Sequence, residues 1–221
     1  MEVAIVIQRY GQGVVGGAEH HARMVAEMLA SRLGWKVRVV TTTALDYRTW
    51  AKHFKSGNES VNGVLVHRFD CAHARHVYLF RIVNAILSPV IAICRKTFFL
   101  RHFGRGLERL WYRLQGPYCP DLVSALVDQA EFFKKVFFFS YLYFPTIAGT
   151  SALGKKSVLI PTAHDEAPFY FQSTTTLFKH VAKIFANSEP EAKLIESTHR
   201  ETAEVITVGV GLEDTQPRDF G

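Results

Sequence analysis

The chain has 221 residues, of which 48% are hydrophobic and 13% aromatic. That is enough apolar mass for one sizeable α/β core, and it excludes a disordered chain. A net charge of +6 favours anionic partners such as nucleotides or phospholipid heads. The cations are scattered, with no long basic run and no nucleic-acid motif, which argues against nucleic acid as a partner.

Residues 3–7 form an apolar run, and 3–8 reads as a first strand. QRYGQGVVGG follows, and then Ala18, Ala22, Val25, Ala26, Leu29 and Leu33 recur at helical spacing. The pattern is strand, Gly-rich loop, helix. Glycine lets a ligand approach the main chain, and the first N–H groups of a helix have no partner within it, so an anion fits there. Gly11, Gly13 and Gly16 also spell G-x-G-x-x-G, but no acid stands at the tip of the second strand (residues 36–42), which disfavours a nicotinamide or flavin site. Glu19 suits the positive helix end and repels a phosphate unless it points away. His20 is near enough to reach one.

Residues 44–54, ALDYRTWAKHF, read as a loop or short helix carrying Tyr47, Trp50 and His53. Asn62-Gly63 reads as a tight turn between two short strands. Residues 77–103 are the least ordinary stretch. Their apolar centre, 82–94, contains Asn84, Ser88 and Pro89 and is too short to span a membrane. Two readings stand open: a buried, Pro-kinked helix pair, or a helix on an anionic membrane surface with Arg81, Arg95, Lys96 and Arg101 meeting the lipid heads.

A helix over 104–114 ends at Gln115-Gly116-Pro117, and Pro120 opens another that runs to about 132. Strands are expected at 135–139, 157–160, 181–186 and 205–208, with a helix after Asn187-Ser188. The alternation predicts a Rossmann-like, doubly wound, mostly parallel α/β sheet of about seven strands with helices on both faces. Loops 11–17, 140–143 and 161–166 follow strand ends, where open α/β sheets place their ligand sites, and should share one edge. The cysteines at 71, 94 and 119 lack C-x-x-C spacing, which reads as reduced thiols in a cytosolic protein without a metal site. No signal peptide pattern opens the chain.

QRYG…VVGGAEHHAR, VRVVTTTALDYRTWAKHF, NGVLVHRF, QGPYCPDL, FFFSYLYFPT, PTAHDEAPFY and ANSEPEAKLI, in this order, resemble the amino-terminal half of a family 4 retaining glycosyltransferase. The resemblance implies half of a GT-B fold, in which two Rossmann-like domains face each other and the amino-terminal one mainly holds the acceptor. It implies an acceptor domain over 1–208, the start of an interdomain linker over 209–221, and a donor domain outside this chain, so that the chain alone is expected to be inactive. Glu196 and Glu204 have the spacing of the family's Glu-x7-Glu pair but lie in the wrong domain, so their spacing reads as chance.

By the same resemblance, Gly16 and Gly17 approach the donor diphosphate and His164 is the catalytic-site histidine near the transferred sugar. Asp165 and Glu166 are expected to bind sugar hydroxyls; as loop neighbours they cannot readily flank a bond as an acid and nucleophile pair. Tyr47, Trp50 and Tyr141 are candidates to contact the acceptor, with packing as the competing reading for each. The expected partners are a nucleotide-sugar (UDP-, GDP- or ADP-linked) and a glycan or lipid-linked acceptor, with no metal and no bound cofactor. The expected location is cytoplasmic, peripheral to the inner membrane surface if 77–103 meets lipid. The alternative function is a non-catalytic sugar- or lipid-binding module.

Overall fold

The computed structural model describes residues 1–96 and 100–210. Its centre is β1 (Glu2–Val6), whose side chains alternate between two cores. Val3 and Ile5 face one side with Ala22, Ala26 and Leu29; Ala4 and Val6 face the other with Leu122, Phe138 and Leu159. A strand buried on both faces has no polar side, which is why its sequence is a continuous apolar run.

Among the described residues the sheet has eight strands, in the order β3-β4-β2-β1-β5-β6-β7-β8. These are β2 (Lys36–Thr42), β3 (Gly57–Val61), β4 (Val64–Phe69), β5 (Lys135–Phe139), β6 (Ser157–Ile160), β7 (Lys183–Ala186) and β8 (Glu204–Thr207). All pairings are parallel except the β3–β4 edge hairpin. The sheet thus has one strand more than the seven or so expected, and the hairpin lies at the turn expected at Asn62-Gly63. The order reverses between β1 and β5, so a crevice opens beyond their carboxyl ends, the position where doubly wound sheets take ligands.

α1 (Gly17–Leu33) packs on one face of the sheet. α4 (Pro120–Asp128), α6 (Gln172–His180) and α7 (Glu189–Thr198) supply the other face with Leu122, Phe178 and Ile195. α5 (Phe144–Leu153) adds the partly buried Ile147 and Leu153 to that face. The helix opened by Pro120 stops at Asp128, and a 3-10 turn, Ala130–Phe132, completes the stretch. Residues 44–54 hold no α-helix; an isolated bridge between Ala44 and Lys52 closes them into a loop.

α2 (Val77–Lys96) and α3 (Arg101–Gln115) form a hairpin around a third, smaller core of Ile91, Trp111, Tyr112 and Phe171. α2 is one helix running through Pro89, where a kinked and buried pair was one of the two expectations. Only 11% of Val77–Cys94 is buried, because both sheet faces are already covered and α2 packs chiefly on α3 and on the 3-10 turn Ala167–Tyr170.

Candidate functional site

Connections following β1, β2, β5, β6 and β7 meet at the carboxyl edge of the sheet. Arg9, directly after β1, ties two of them together. Its guanidinium donates to Glu19 Oε1 through Nε (3.0 Å) and Nη2 (2.6 Å), to the Leu45 carbonyl (2.9 Å) and to the Val15 carbonyl (3.0 Å). Gln8 Nε2 donates to the same Glu19 oxygen at 2.9 Å. Arg9 and Glu19 are both buried. Their pairing resolves the charge question at the start of α1, because the Glu19 carboxylate is neutralised and folded back over Gly16. Gly16 therefore supports this ion pair. Gly17 has open space where a Cβ would stand and lines a cleft.

That cleft, of about 460 Å³, is walled by Gly17, Ala18 and His21 of α1, by 162–165 after β6, and by the first turn of α7. Two helix N-termini thus face one space, and each carries a glutamate three residues after its N-cap. In α7 the Ser188 hydroxyl accepts from the Glu191 amide at 3.3 Å. Glu191 in turn accepts from the amides of Ala163 (2.6 Å) and Asn187 (2.7 Å). The arrangement is a capping box extended across the sheet edge, and it fixes the β6 loop against the β7 loop. Thr162 holds φ +52° within this loop and Ser140 holds φ +64° after β5. A β-branched residue in the left-handed region is strained, and such strain gathers where structure serves a site.

His164 and Asp165 project, exposed, into this cleft. Asp165 Oδ1 accepts from the Tyr170 hydroxyl at 2.7 Å. Glu166, the next residue, does not share the space. It accepts from the Tyr141 hydroxyl at 2.8 Å and lines a neighbouring recess of about 340 Å³ with Asn84, Ser88, Trp111 and Gln115. The two adjacent acids therefore serve different recesses. Among the described residues no group of three or more His, Cys, Asp or Glu side chains is placed to hold a metal ion.

The aromatic candidates separate. Trp50 is buried at φ +57°, donates its indole N–H to the Gln115 carbonyl at 2.7 Å and meets the Tyr143 ring edge-on at 5.4 Å. With Arg75 over the ring as well, it has no open face for a sugar, and the packing reading holds for it. Tyr141 is fully buried, its ionisation opposed by burial and by Glu166, so it reaches a ligand only by orienting that acid. Tyr47 is exposed, and Arg9 stands over one face of its ring at 5.3 Å.

Two further residues, His21 in the first helix and Tyr143 beside the end of β5, belong to this region. His21 is buried in the cleft wall, edge-on to Phe139 at 5.4 Å. Burial, reinforced by His20, lowers its pKa and keeps the imidazole neutral. The signal was present, since the i+4 spacing from Gly17 places both on one helix face. Tyr143, at the N-cap of α5, has its pKa pushed up to about 12 by burial and then by Glu19. The thiols of half-buried Cys71 and buried Cys119 are likewise pushed up by desolvation, to about 11 and about 12.

No family model matches the chain, and no curated protein matches it. Two solved structures of sucrose-phosphate synthase from Thermosynechococcus elongatus share its fold. One has a TM-score of 0.55 at 11% identity and covers 96% of this chain and 91% of that one. The other has a TM-score of 0.56 at 10% identity, covering 96% of this chain and 48% of that one, so the chain spans about half its length. At such identity the likeness is one of fold: a mostly parallel α/β domain similar to those of GT-B glycosyltransferases.

Proposed function

We propose that this chain is the acceptor-side domain of a retaining glycosyltransferase that moves a sugar from a nucleotide-sugar to a glycan or lipid-linked acceptor. The observation that carries the reading is the meeting of Gly17, His164 and Asp165 in one cleft at the carboxyl edge of the sheet, beside the N-terminus of α1. The amides of the first turn of α1 have no carbonyl partners within the helix and point their partial positive charge at a donor diphosphate. Glu19 does not oppose this, because Arg9 neutralises it and it is not part of the cleft lining.

In this account the His164 imidazole hydrogen-bonds a hydroxyl of the transferred sugar. Asp165, held by Tyr170, accepts from another. Amides fixed in place before the reaction stabilise the charge that develops on the leaving diphosphate. Glu166 faces the acceptor recess with Asn84 and Gln115, groups suited to sugar hydroxyls. The nucleotide base, UDP, GDP or ADP, is held chiefly by a second, facing domain, as the GT-B arrangement implies, and the work is done in the cytoplasm.

Calorimetric titration with UDP-, GDP- and ADP-glucose tests the reading. One of the three is expected to bind, and His164→Ala is expected to weaken it while leaving the melting temperature unchanged. Equal affinity in wild type and His164→Ala, or no binding of any of the three, counts against it. A glycan that binds without any nucleotide-sugar supports the non-catalytic module instead.

A further inference from the structure

The outer surface of the α2–α3 hairpin combines two features that a soluble domain does not ordinarily present together. The first is an apolar ridge. Leu79, Ile82, Ile86 and Ile93 of α2 are 54%, 61%, 60% and 60% exposed, and Phe103 of α3 is 61% exposed. Their spacing along α2 puts them on one side of the helix. Over Val77–Cys94 the mean hydropathy is 2.0, yet only 11% of that stretch is buried. A contiguous exposed apolar patch of this kind marks a surface that something covers.

The second feature is one-signed charge. Between Asp70 and Asp121 the sequence has a single acid, Glu108. That acid is buried and holds the Gln172 and Ser173 amides at 2.7 and 2.8 Å. The other charged residues of this stretch are all arginines and lysines. Arg105, Arg109 and Arg113 repeat every fourth residue along one exposed stripe of α3, and Arg81 and Lys96 flank the ridge on α2.

We infer that this hairpin is a docking surface for an anionic lipid bilayer, with the α2 ridge entering the acyl boundary and the α3 arginines meeting the phosphate heads. The charge selects the occupant. A second copy would set one cationic surface against another, whereas an anionic bilayer is complementary to both features at once. Over Val77–Cys94, longer than the 82–94 centre that the sequence suggested was too short, α2 has the length and composition to cross a membrane, but its inner face belongs to the domain. Ile91 and Cys94 are buried, and Asn84 Oδ1 accepts from the Trp111 indole at 2.6 Å. Gly104 lets α3 approach so closely that a Cβ there would stand 2.9 Å from Cys94 Cβ. The helix lies on the surface. This docking needs no nucleotide-sugar, so it stands or falls apart from the sugar-transfer reading.

Vesicle flotation at low salt tests it, with phosphatidylglycerol and phosphatidylcholine in equal parts against phosphatidylcholine alone. Wild type is expected to float with the anionic vesicles and far less with the neutral ones. Arg105→Glu/Arg109→Glu should lower the partition coefficient at least about tenfold. Ile82→Glu/Ile86→Glu should abolish flotation at every salt concentration. All four positions are exposed, and circular dichroism checks that the variants fold. If the paired glutamates unfold the hairpin, Ile86→Ser repeats the comparison. Wild type left at the bottom of the gradient overturns the proposal, as does equal flotation by the arginine variant. Resistance to alkaline extraction would overturn it in favour of a spanning helix. A dimer that Ile82→Glu/Ile86→Glu converts to monomer, with flotation unchanged, would overturn it in favour of a second copy.

Discussion

Gly16 lies beneath the carboxylate of Glu19: a methyl group on Gly16 would stand 2.1 Å from Glu19 Oε2. No side chain fits there unless Glu19 leaves Arg9, and Arg9 is what ties the β1 loop to the Leu45 loop. Gly16→Ala should therefore behave as a broken buried ion pair, destabilising by about 3 kcal/mol. Gly17→Ala, next in sequence, meets open space and should stay within about 0.5 kcal/mol of wild type. Urea denaturation of the two variants checks the contrast.

Glu191 makes the equivalent tie at the other helix. Replacing it with Ala strips the partner from the Ala163 and Asn187 amides. One buried unsatisfied donor costs about 1–3 kcal/mol, so a loss of about 3 kcal/mol is expected. Amide exchange should accelerate locally over 161–166. Exchange that accelerates uniformly along the chain would show that the carboxylate does not hold this loop.

Stability should fall as pH drops from neutral toward 5. His21 and His67 both have folded pKa values below the ordinary 6.5, each chiefly through burial. The unfolded chain therefore takes up protons first, and stability is lost from about pH 6.5 downward until the folded pKa values are passed. The carboxylates of Asp46 and Asp70 are shifted below 3.8, so their contribution is lost only in more acid solution. The melting temperature of wild type should fall relative to that of His21→Gln/His67→Gln as pH drops from about 7.5 to about 5.

Trp50 and Tyr47 should part company under mutation. Trp50→Phe removes the hydrogen bond to the Gln115 carbonyl and leaves a void against Gly116, costing about 2–3 kcal/mol. Tyr47→Ala, at an exposed position, should cost under about 1 kcal/mol. If Tyr47 meets the acceptor, its loss should weaken glycan binding while Trp50→Phe leaves it unchanged in the folded fraction. Thermal melts paired with glycan titrations separate the two effects.

The sheet was legible because local pattern fixes it. The apolar run of β1, the glycine break and the period of α1 each read from a few neighbouring residues, and together they imply the doubly wound plan. The edge hairpin read locally too, through Asn62-Gly63. What could not be read depends on distant partners. Glu19 points away from the cleft only because Arg9 lies folded beside it. Trp50 looked like a stacking platform because its cover comes from Gly116, Tyr143 and Arg75. Asp165 and Glu166 diverge because Tyr170 and Tyr141 hold them from different sides. The apolar run of α2 reads the same whether it is buried or lipid-facing; its exposure follows from both sheet faces being already occupied.

The most direct test of the proposed cleft is backbone amide chemical-shift mapping of the chain titrated with UDP-, GDP- and ADP-glucose. The account predicts that at least one ligand perturbs Gly17, Ala18, Ala163 and His164 together and leaves the α3 arginine stripe unperturbed. Perturbations that cluster on another face, or their absence from all four residues with every ligand, would contradict a donor diphosphate at the N-terminus of α1.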